Sequence, residues 1–298
     1  MTPAALIAEV GYQSDWLETL GAPFMRNAFI GGILVAVAGG LIGYFVVVRG
    51  GEFAAHALGH IGFPGATGAV LLGLSPTLGL GVFCVAGALV IGALGNRARD
   101  QAVATGTVLA FATGLGVLFA SLATRNTSTI TSVLFGNLLA VSSDQILVFA
   151  AVTAVIAVVL GVIARPLTLA SISPEVAAAK GVPVRLLGMC FLVLMALATT
   201  IAVQVVGTLL LFALLVTPPA AALRFSARPG VVCLLGTAFG VVSVVLGLVV
   251  AVVFNLPPSF FIVTISTVIW AAAMVVTRER HRDGGGTADA AERPGPDR

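Results

Sequence analysis

Long apolar runs fill the chain from near residue 27 to near residue 277. Each run has about the 17–25 residues that a helix needs to cross a bilayer. The pattern predicts an all-α, polytopic membrane protein with nine transmembrane helices, or eight if one short run is re-entrant. The runs occupy residues 27–48, 56–73, 77–94, 103–122, 145–163, 186–204, 206–223, 231–254 and 258–277.

Two of these runs contain proline. Pro64 lies in the second run, and Pro218 and Pro219 lie in the seventh. Proline removes a backbone donor, so it is tolerated at membrane depth only where other protein or a cavity satisfies the freed groups. The sequence therefore predicts that Pro64, Pro218 and Pro219 break helices that line a pathway.

The apolar runs form one membrane domain, residues 26–278, between two different ends. Residues 1–25 are weakly amphipathic and contain acids, which predicts an interfacial segment and no cleavable signal peptide. Residues 279–298 are rich in Gly, Asp, Arg and Pro, so we expect a disordered cytoplasmic tail.

Composition excludes a soluble protein, because 59% of the 298 residues are hydrophobic and only 9% are charged. Soluble domains carry about 25% charged residues. No Asp, Glu, Lys or Arg lies well inside an apolar run, which disfavours a proton- or sodium-coupled carrier. No basic cluster with interleaved aromatic residues is present, so we expect no nucleic-acid partner.

Basic residues fall on one side of the nine-span topology, which the positive-inside rule makes cytoplasmic. Only Arg26 and Arg125 fall on the opposite side. The basic residues on the predicted cytoplasmic side are Arg49, Arg97, Arg99, Arg165, Lys180, Arg185, Arg224, Arg228 and the tail from Arg278 onward.

A histidine pair, His56 and His60, lies at the start of the second run. Residues four apart share one face of a helix. Imidazole suits zinc, copper, iron or nickel, so the pair is a candidate metal contact in the membrane. The alternative is a pair of interfacial histidines that pack against helix neighbours. A metalloprotease is disfavoured, because Ala57 stands where such enzymes carry their general base.

One loop carries the signals of a short helix, residues 173–183. Ser173 is a candidate N-cap, and Pro174 and Glu175 suit the first turn. Lys180 suits the last turn, and Gly181 ends the helix. So short a helix is marginal alone, which favours a rigid piece that docks on a partner over a plain loop helix.

Six segments in this order resemble the membrane permeases of zinc, manganese and iron uptake ABC transporters, the ABC-3 family. The resemblance covers nearly the whole chain from Pro23 to the last run. The segments are Phe24-Met25-Arg26-Asn27-Ala28, Ala57-Leu58-Gly59-His60 with Pro64-Gly65, Leu134-Phe135-Gly136-Asn137-Leu138-Leu139-Ala140-Val141-Ser142, residues 173–183, Val206-Gly207-Thr208-Leu209-Leu210 leading to Ala213–Ala220, and Leu256-Pro257-Pro258-Ser259.

The resemblance implies a homodimeric permease in a prokaryotic cell (inner) membrane, with the pathway at the homodimer interface. It also implies a cytosolic ATPase dimer and an extracytoplasmic metal-binding protein as partners, with no permanently bound cofactor. Residues 173–183 match the coupling helix that docks on the ATPase. Because the chain has no Gly-x-x-x-x-Gly-Lys-[Ser/Thr] motif, we expect a transporter subunit that is not itself an enzyme.

Two positions depart from the family pattern. His56 and Asn137 both stand where the family usually has aspartate. A site of His56, His60 and Asn137 is neutral and rich in nitrogen, which favours zinc over manganese as the transported ion. The alternatives are manganese or iron import by the same architecture, or a related ABC permease for a metal-chelate complex.

Overall fold

A computed structural model describes residues 16–95, 98–122 and 132–291, and this part of the chain is helical throughout, with no strand. Residues 1–15 of the predicted interfacial segment 1–25 lie outside it, as do Arg97 and Arg125. The α-helices are α1 Trp16–Gly21, α2 Pro23–Val48, α3 Glu52–Leu71, α4 Pro76–Leu94, α5 Ala98–Leu122, α6 Ser143–Ile172, α7 Pro174–Ala179, α8 Val184–Leu215, α9 Thr217–Ala222, α10 Pro229–Phe254 and α11 Pro258–Ala291. A 3₁₀ turn covers Leu138–Ala140.

Seven of the described helices are long and apolar enough to cross a membrane: α2, α4, α5, α6, α8, α10 and α11. Helix α3 also has 20 residues, but Glu52, His56 and His60 lower its hydropathy. It packs against α4, α5 and α8, so a less apolar sequence is tolerated away from lipid. The architecture is the polytopic all-α bundle that the apolar runs predict.

The seventh apolar run does not form one straight helix. Gly207 interrupts the helical backbone of α8 with φ 78° and ψ 171°. The chain then turns back along α2. The contacts of Leu214 with Gly39 and of Pro219 with Gly43 show this reversal. The run 206–223 is therefore a returning arm made of the end of α8 and the short helix α9.

The predicted proline breaks have different outcomes. Pro218 and Pro219 lie in the first turn of α9, after α8 has ended at Leu215. No intrahelical donor is required in a first turn, so two prolines fit there. Helix α3 runs from Glu52 to Leu71 through Pro64 without ending, so the break predicted at Pro64 is absent. Helix α3 packs against α4, α5 and α8, so the loss of one hydrogen bond at Pro64 does not end it.

The turn at Gly207 is held by a second glycine. Gly136 also has a positive φ of 75°, and the backbones of these two glycines are in direct contact. The backbone N–H of Asn137 donates to the carbonyl of Gln204 over 3.1 Å. These contacts fix the position of the segment before α6 against the bundle.

Helices α2, α4 and α6 end at the same end of the bundle, where α3, α5 and α8 begin. We call this the basic end; it carries Arg49 and Arg185, and a cavity there is lined by residues of all six helices or their flanking turns. The opposite end carries the α3–α4 turn and residues 132–142. Basic residues at one end agree with the predicted orientation, which stays a prediction.

Helix α11 extends beyond its membrane-spanning part to Ala291. The disordered cytoplasmic tail predicted for residues 279–298 stays a prediction. Adding residues to an existing helix end needs no new nucleation, so a transmembrane helix can propagate into a polar segment. Residues 292–298 lie outside the part that the structure describes.

Candidate functional site

The structure brings His56 and His60 together on one side of α3. Their ring centroids are 4.8 Å apart, with the rings at 71° to one another. Both side chains are half-buried. Two imidazoles this close, one turn apart on a rigid helix, can present their nitrogens to a single ion.

One nitrogen of the pair lacks a partner. Nδ1 of His56 is buried and makes no hydrogen bond, and the same holds for the hydroxyls of Thr199 and Thr208. Leaving a buried polar atom unsatisfied costs about 1–3 kcal/mol. The methyl group of Thr199 lies 3.9 Å from the place where a Cβ on Gly59 would be, so Thr199 packs against α3 between the histidines. A bound cation at Nδ1 would remove this cost.

Pro64 supplies a further candidate ligand in the same helix. A proline at position 64 has no N–H to donate to the carbonyl of His60, four residues earlier. The hydroxyl of Thr67 donates to the carbonyls of Phe63 and Pro64, at 3.1 and 3.2 Å, and not to the carbonyl of His60. The carbonyl oxygen of His60 is thus deprived of its helical donor from position 64.

The protein ligands within one described chain are few. Among the described residues, no group of three or more His, Cys, Asp or Glu side chains could hold a metal ion. The histidine pair therefore offers two nitrogens, and further ligands must be oxygens of carbonyls, hydroxyls, water or a second copy of the chain. A site with so few ligands binds an ion weakly, which suits a transported ion that must be released.

Asn137 lies apart from the histidines. It is exposed and lines a cavity of about 540 Å³ at the opposite end, with Ala66 and Asp144. Ala66 is six residues beyond His60, which is about 9 Å along a helix. Neither histidine is among the residues that line this cavity, and the predicted joint site of His56, His60 and Asn137 stays a prediction. The backbone N–H of Asn137 bonds to the carbonyl of Gln204 at this end.

A polar network in this second cavity escaped the sequence analysis. The Oε1 atom of Gln204 accepts from the hydroxyl of Thr77 at 2.9 Å and from Nε2 of Gln145 at 3.2 Å. Nε2 of Gln204 donates to the carbonyl of Thr200. The signal for it in the sequence is a lone glutamine in the apolar stretch 201–206. The network lines this cavity with neutral amide and hydroxyl groups, beside the side chain of Asp144.

The predicted loop helix is present as α7. Its C-terminus is closed by two hydrogen bonds, from the N–H of Gly181 to Ala178 and from the N–H of Val182 to Ala177. Gly181 has φ 77°, the left-handed conformation that such a cap requires. Ser173 occupies the N-cap position, but its side chain makes no capping bond.

Helix α7 is presented to solvent. Ala177 is its one buried residue, while Pro174, Glu175 and Val176 are exposed. Val176, an apolar side chain, is 48% exposed. A rigid, capped helix with an exposed apolar side chain and an acid at its N-terminus has the features of a docking element.

Comparisons with known proteins place these features in a known group. Residues 21–277 match the ABC 3 transport family. The manganese transport system membrane protein MntC of Listeria innocua is 30% identical over 253 residues, which are 85% of this chain and 90% of MntC. The manganese import system permease protein ScaB of Streptococcus gordonii is 29% identical, over 85% of this chain and 91% of ScaB. The structure of PsaBC from Streptococcus pneumoniae in complex with Fab matches with a TM-score of 0.78 and 28% identity, over 87% of this chain and 94% of the matched chain.

Proposed function

The chain belongs to the ABC 3 transport family, and from this premise we propose that it is the membrane-spanning permease subunit of an ABC importer for a divalent transition metal. The observation that carries the proposal is the family match over residues 21–277. The histidine pair, with the unpaired Nδ1 of His56, supplies the place where a cation would be held in passing.

We propose manganese as the cargo, with iron as the second candidate. The named relatives MntC and ScaB are manganese permeases, which favours this alternative over the zinc predicted from the nitrogen-rich pair. Manganese accepts oxygen ligands such as carbonyl and water. The His60 carbonyl that Pro64 leaves without its donor, and the glutamine network at the opposite end, offer such oxygens.

The choice of metal is tested at His56, where the family pattern has aspartate. We expect His56→Asp to raise the ratio of manganese to zinc uptake by about tenfold, corresponding to about 1.4 kcal/mol, because a carboxylate is a harder ligand than imidazole. The measurement is competitive uptake of both radioactive metals in proteoliposomes that hold the complete transporter.

His281→Asp is the matched control, since it makes the same change in the extension of α11. An unaltered ratio in His56→Asp would assign metal selection to the binding protein and leave the histidines as pathway lining.

The proposed assembly is a homodimer of this chain with two cytosolic ATPase subunits and an extracytoplasmic metal-binding protein. Closure of the ATPases would push on α7, which packs against α6 and α8. Since α8 also carries the turn at Gly207 and packs against α3, movement at α7 would reach the histidine pair through a continuous set of helices. Access would then alternate between the two faces.

The docking role of α7 is tested by reversing a charge. We expect Glu175→Arg to weaken co-purification with the ATPase several-fold, because the change places a cation at the positive end of an exposed helix. The measurement is the ratio of ATPase to permease after purification in detergent.

Glu18→Arg is the control for this change, as Glu18 is an exposed acid on another short helix, α1. A normal subunit ratio with Glu175→Arg would show that docking does not depend on the acidic end of α7.

A further inference from the structure

A cavity of about 560 Å³ opens at the basic end of the bundle, separate from the histidine pair. Two guanidinium groups, those of Arg49 and Arg185, lie in its lining. Among the lining residues whose side chains the structure describes, there is no Asp or Glu. This described part of the lining is therefore cationic.

Arg49 is held by neutral partners. Its Nη1 donates to the hydroxyl of Ser171 over 3.1 Å, and its guanidinium carbon lies 5.5 Å from the centre of the Phe191 ring. Burial lowers the pKa of Arg49 below its usual value, although a guanidinium stays protonated in proteins. The charge of a half-buried guanidinium is not neutralised by neutral partners, so an anionic ligand would stabilise it.

Arg185 lines the same cavity as Arg49. Nη2 of Arg49 is 3.5 Å from where a Cβ on Gly188 would be, and Gly188 is one turn beyond Arg185 on α8. Arg185 makes one long hydrogen bond, to the carbonyl of Ala93 at 3.4 Å. Most N–H donors of both groups are thus available to one ligand, which planar guanidiniums bind best as a phosphate or carboxylate.

Helix dipoles alone do not account for the two charges. Arg49 follows the C-terminus of α2, and Arg185 bonds to a carbonyl in the last turn of α4, so each meets a partial negative charge. The charge at a helix C-terminus is about half of an elementary charge and acts only within the last turn. Two full positive charges on one cavity exceed what these helix ends supply.

The rest of the lining mixes polar and apolar side chains. Val48, Phe53, Leu192 and Met195 are apolar, and Phe53 is 48% exposed. Two cationic groups beside apolar side chains match a molecule with an anionic head and a hydrocarbon tail. Basic pockets between transmembrane helices on the cytoplasmic side are places where anionic lipid headgroups bind.

We propose that this cavity binds an anionic phospholipid of the inner leaflet, with its phosphate between Arg49 and Arg185. The lipid would connect the end of α2 to α8 beside α7, because Ser171 and Pro174 line the same cavity. The site is independent of the metal that the transporter carries, so its test does not depend on the cargo.

The test measures lipid binding to the full-length purified protein. Phosphatidylglycerol, phosphatidylcholine and inorganic phosphate are added separately in detergent, and the thermal unfolding midpoint and the bound lipid by native mass spectrometry are recorded. We expect phosphatidylglycerol to raise the midpoint by several degrees and to remain bound, and the other two to have less than half that effect. A shift as large with inorganic phosphate would assign the cavity to a free anion and overturn the proposal.

Variants locate the site. Arg185→Gln removes an exposed side chain with one long hydrogen bond, so folding is preserved, and we expect it to lose at least half of the phosphatidylglycerol effect. Arg49→Gln with Arg185→Gln should lose the effect entirely. The control is Arg224→Gln with Arg228→Gln, two exposed arginines that do not line the cavity.

Three further outcomes would overturn the proposal. The first is a phosphatidylglycerol effect that Arg185→Gln leaves unchanged. The second is an equal loss in the Arg224 and Arg228 control. The third is release of the lipid when the ATPase subunit is added, which would assign the two arginines to an acidic protein partner.

Discussion

Replacing His60 with alanine reduces metal uptake to the level of vesicles without permease, on this account, while the protein stays folded in the membrane. His60 supplies one of the two imidazoles that face each other at 4.8 Å. The variant keeps only one nitrogen ligand. One such ligand is too few to hold a cation among apolar helices, so the ion no longer binds there. The side chain is half-buried, so its loss costs about 1 kcal/mol of stability or less.

The measurement is ATP-driven uptake of radioactive manganese, with the amount of permease checked by quantitative blotting. His281→Ala is the matched control, because the third histidine of the chain lies in the extension of α11, away from α3. Normal uptake by His60→Ala would remove His60 from the pathway.

Replacing Gly207 with valine prevents stable folding, on the same account. Gly207 has φ 78°, and a Cβ there would collide with the carbonyl of Leu134 and the backbone of Gly136. A β-branched residue in this conformation costs about 1–3 kcal/mol in backbone strain alone. The collision with rigid backbone adds to that, so we expect a loss of about 3 kcal/mol or more.

The measurement is the thermal unfolding midpoint in detergent, together with the yield from membranes. Gly161→Val is the control, since a Cβ on Gly161 of α6 meets no atom within 4 Å. An equal midpoint for Gly207→Val and the wild type would mean that the returning arm is not fixed by the contact of Gly136 with Gly207.

Hydropathy predicted most of the fold because the bilayer imposes helix length directly. The runs 27–48, 77–94 and 231–254 each lie within or closely match the observed helices α2, α4 and α10. The gap between the runs 186–204 and 206–223 also marked the region of the turn at Gly207. The reversal itself could not be predicted, because it depends on the distant residues Leu134 and Gly136.

Only the part of the candidate site whose residues are close together in the sequence was predictable. His56 and His60 are adjacent because helix geometry places residues four apart on one face. The position of Asn137 depends on its backbone bond to Gln204, 67 positions further along the chain, which no short-range pattern encodes. Pro64 was misjudged for a related reason, since packing against α4, α5 and α8 outweighs the loss of one hydrogen bond.

Transport by the reconstituted complex tests the central claim most directly. The chain, its ATPase and its binding protein are placed in proteoliposomes, and uptake of radioactive manganese, iron and zinc is measured with and without ATP. The account predicts saturable manganese uptake that needs both ATP and the binding protein and exceeds zinc uptake at equal concentration. Absence of ATP-dependent uptake of all three metals would contradict the assignment as a metal permease, and uptake of zinc alone would contradict manganese as the cargo.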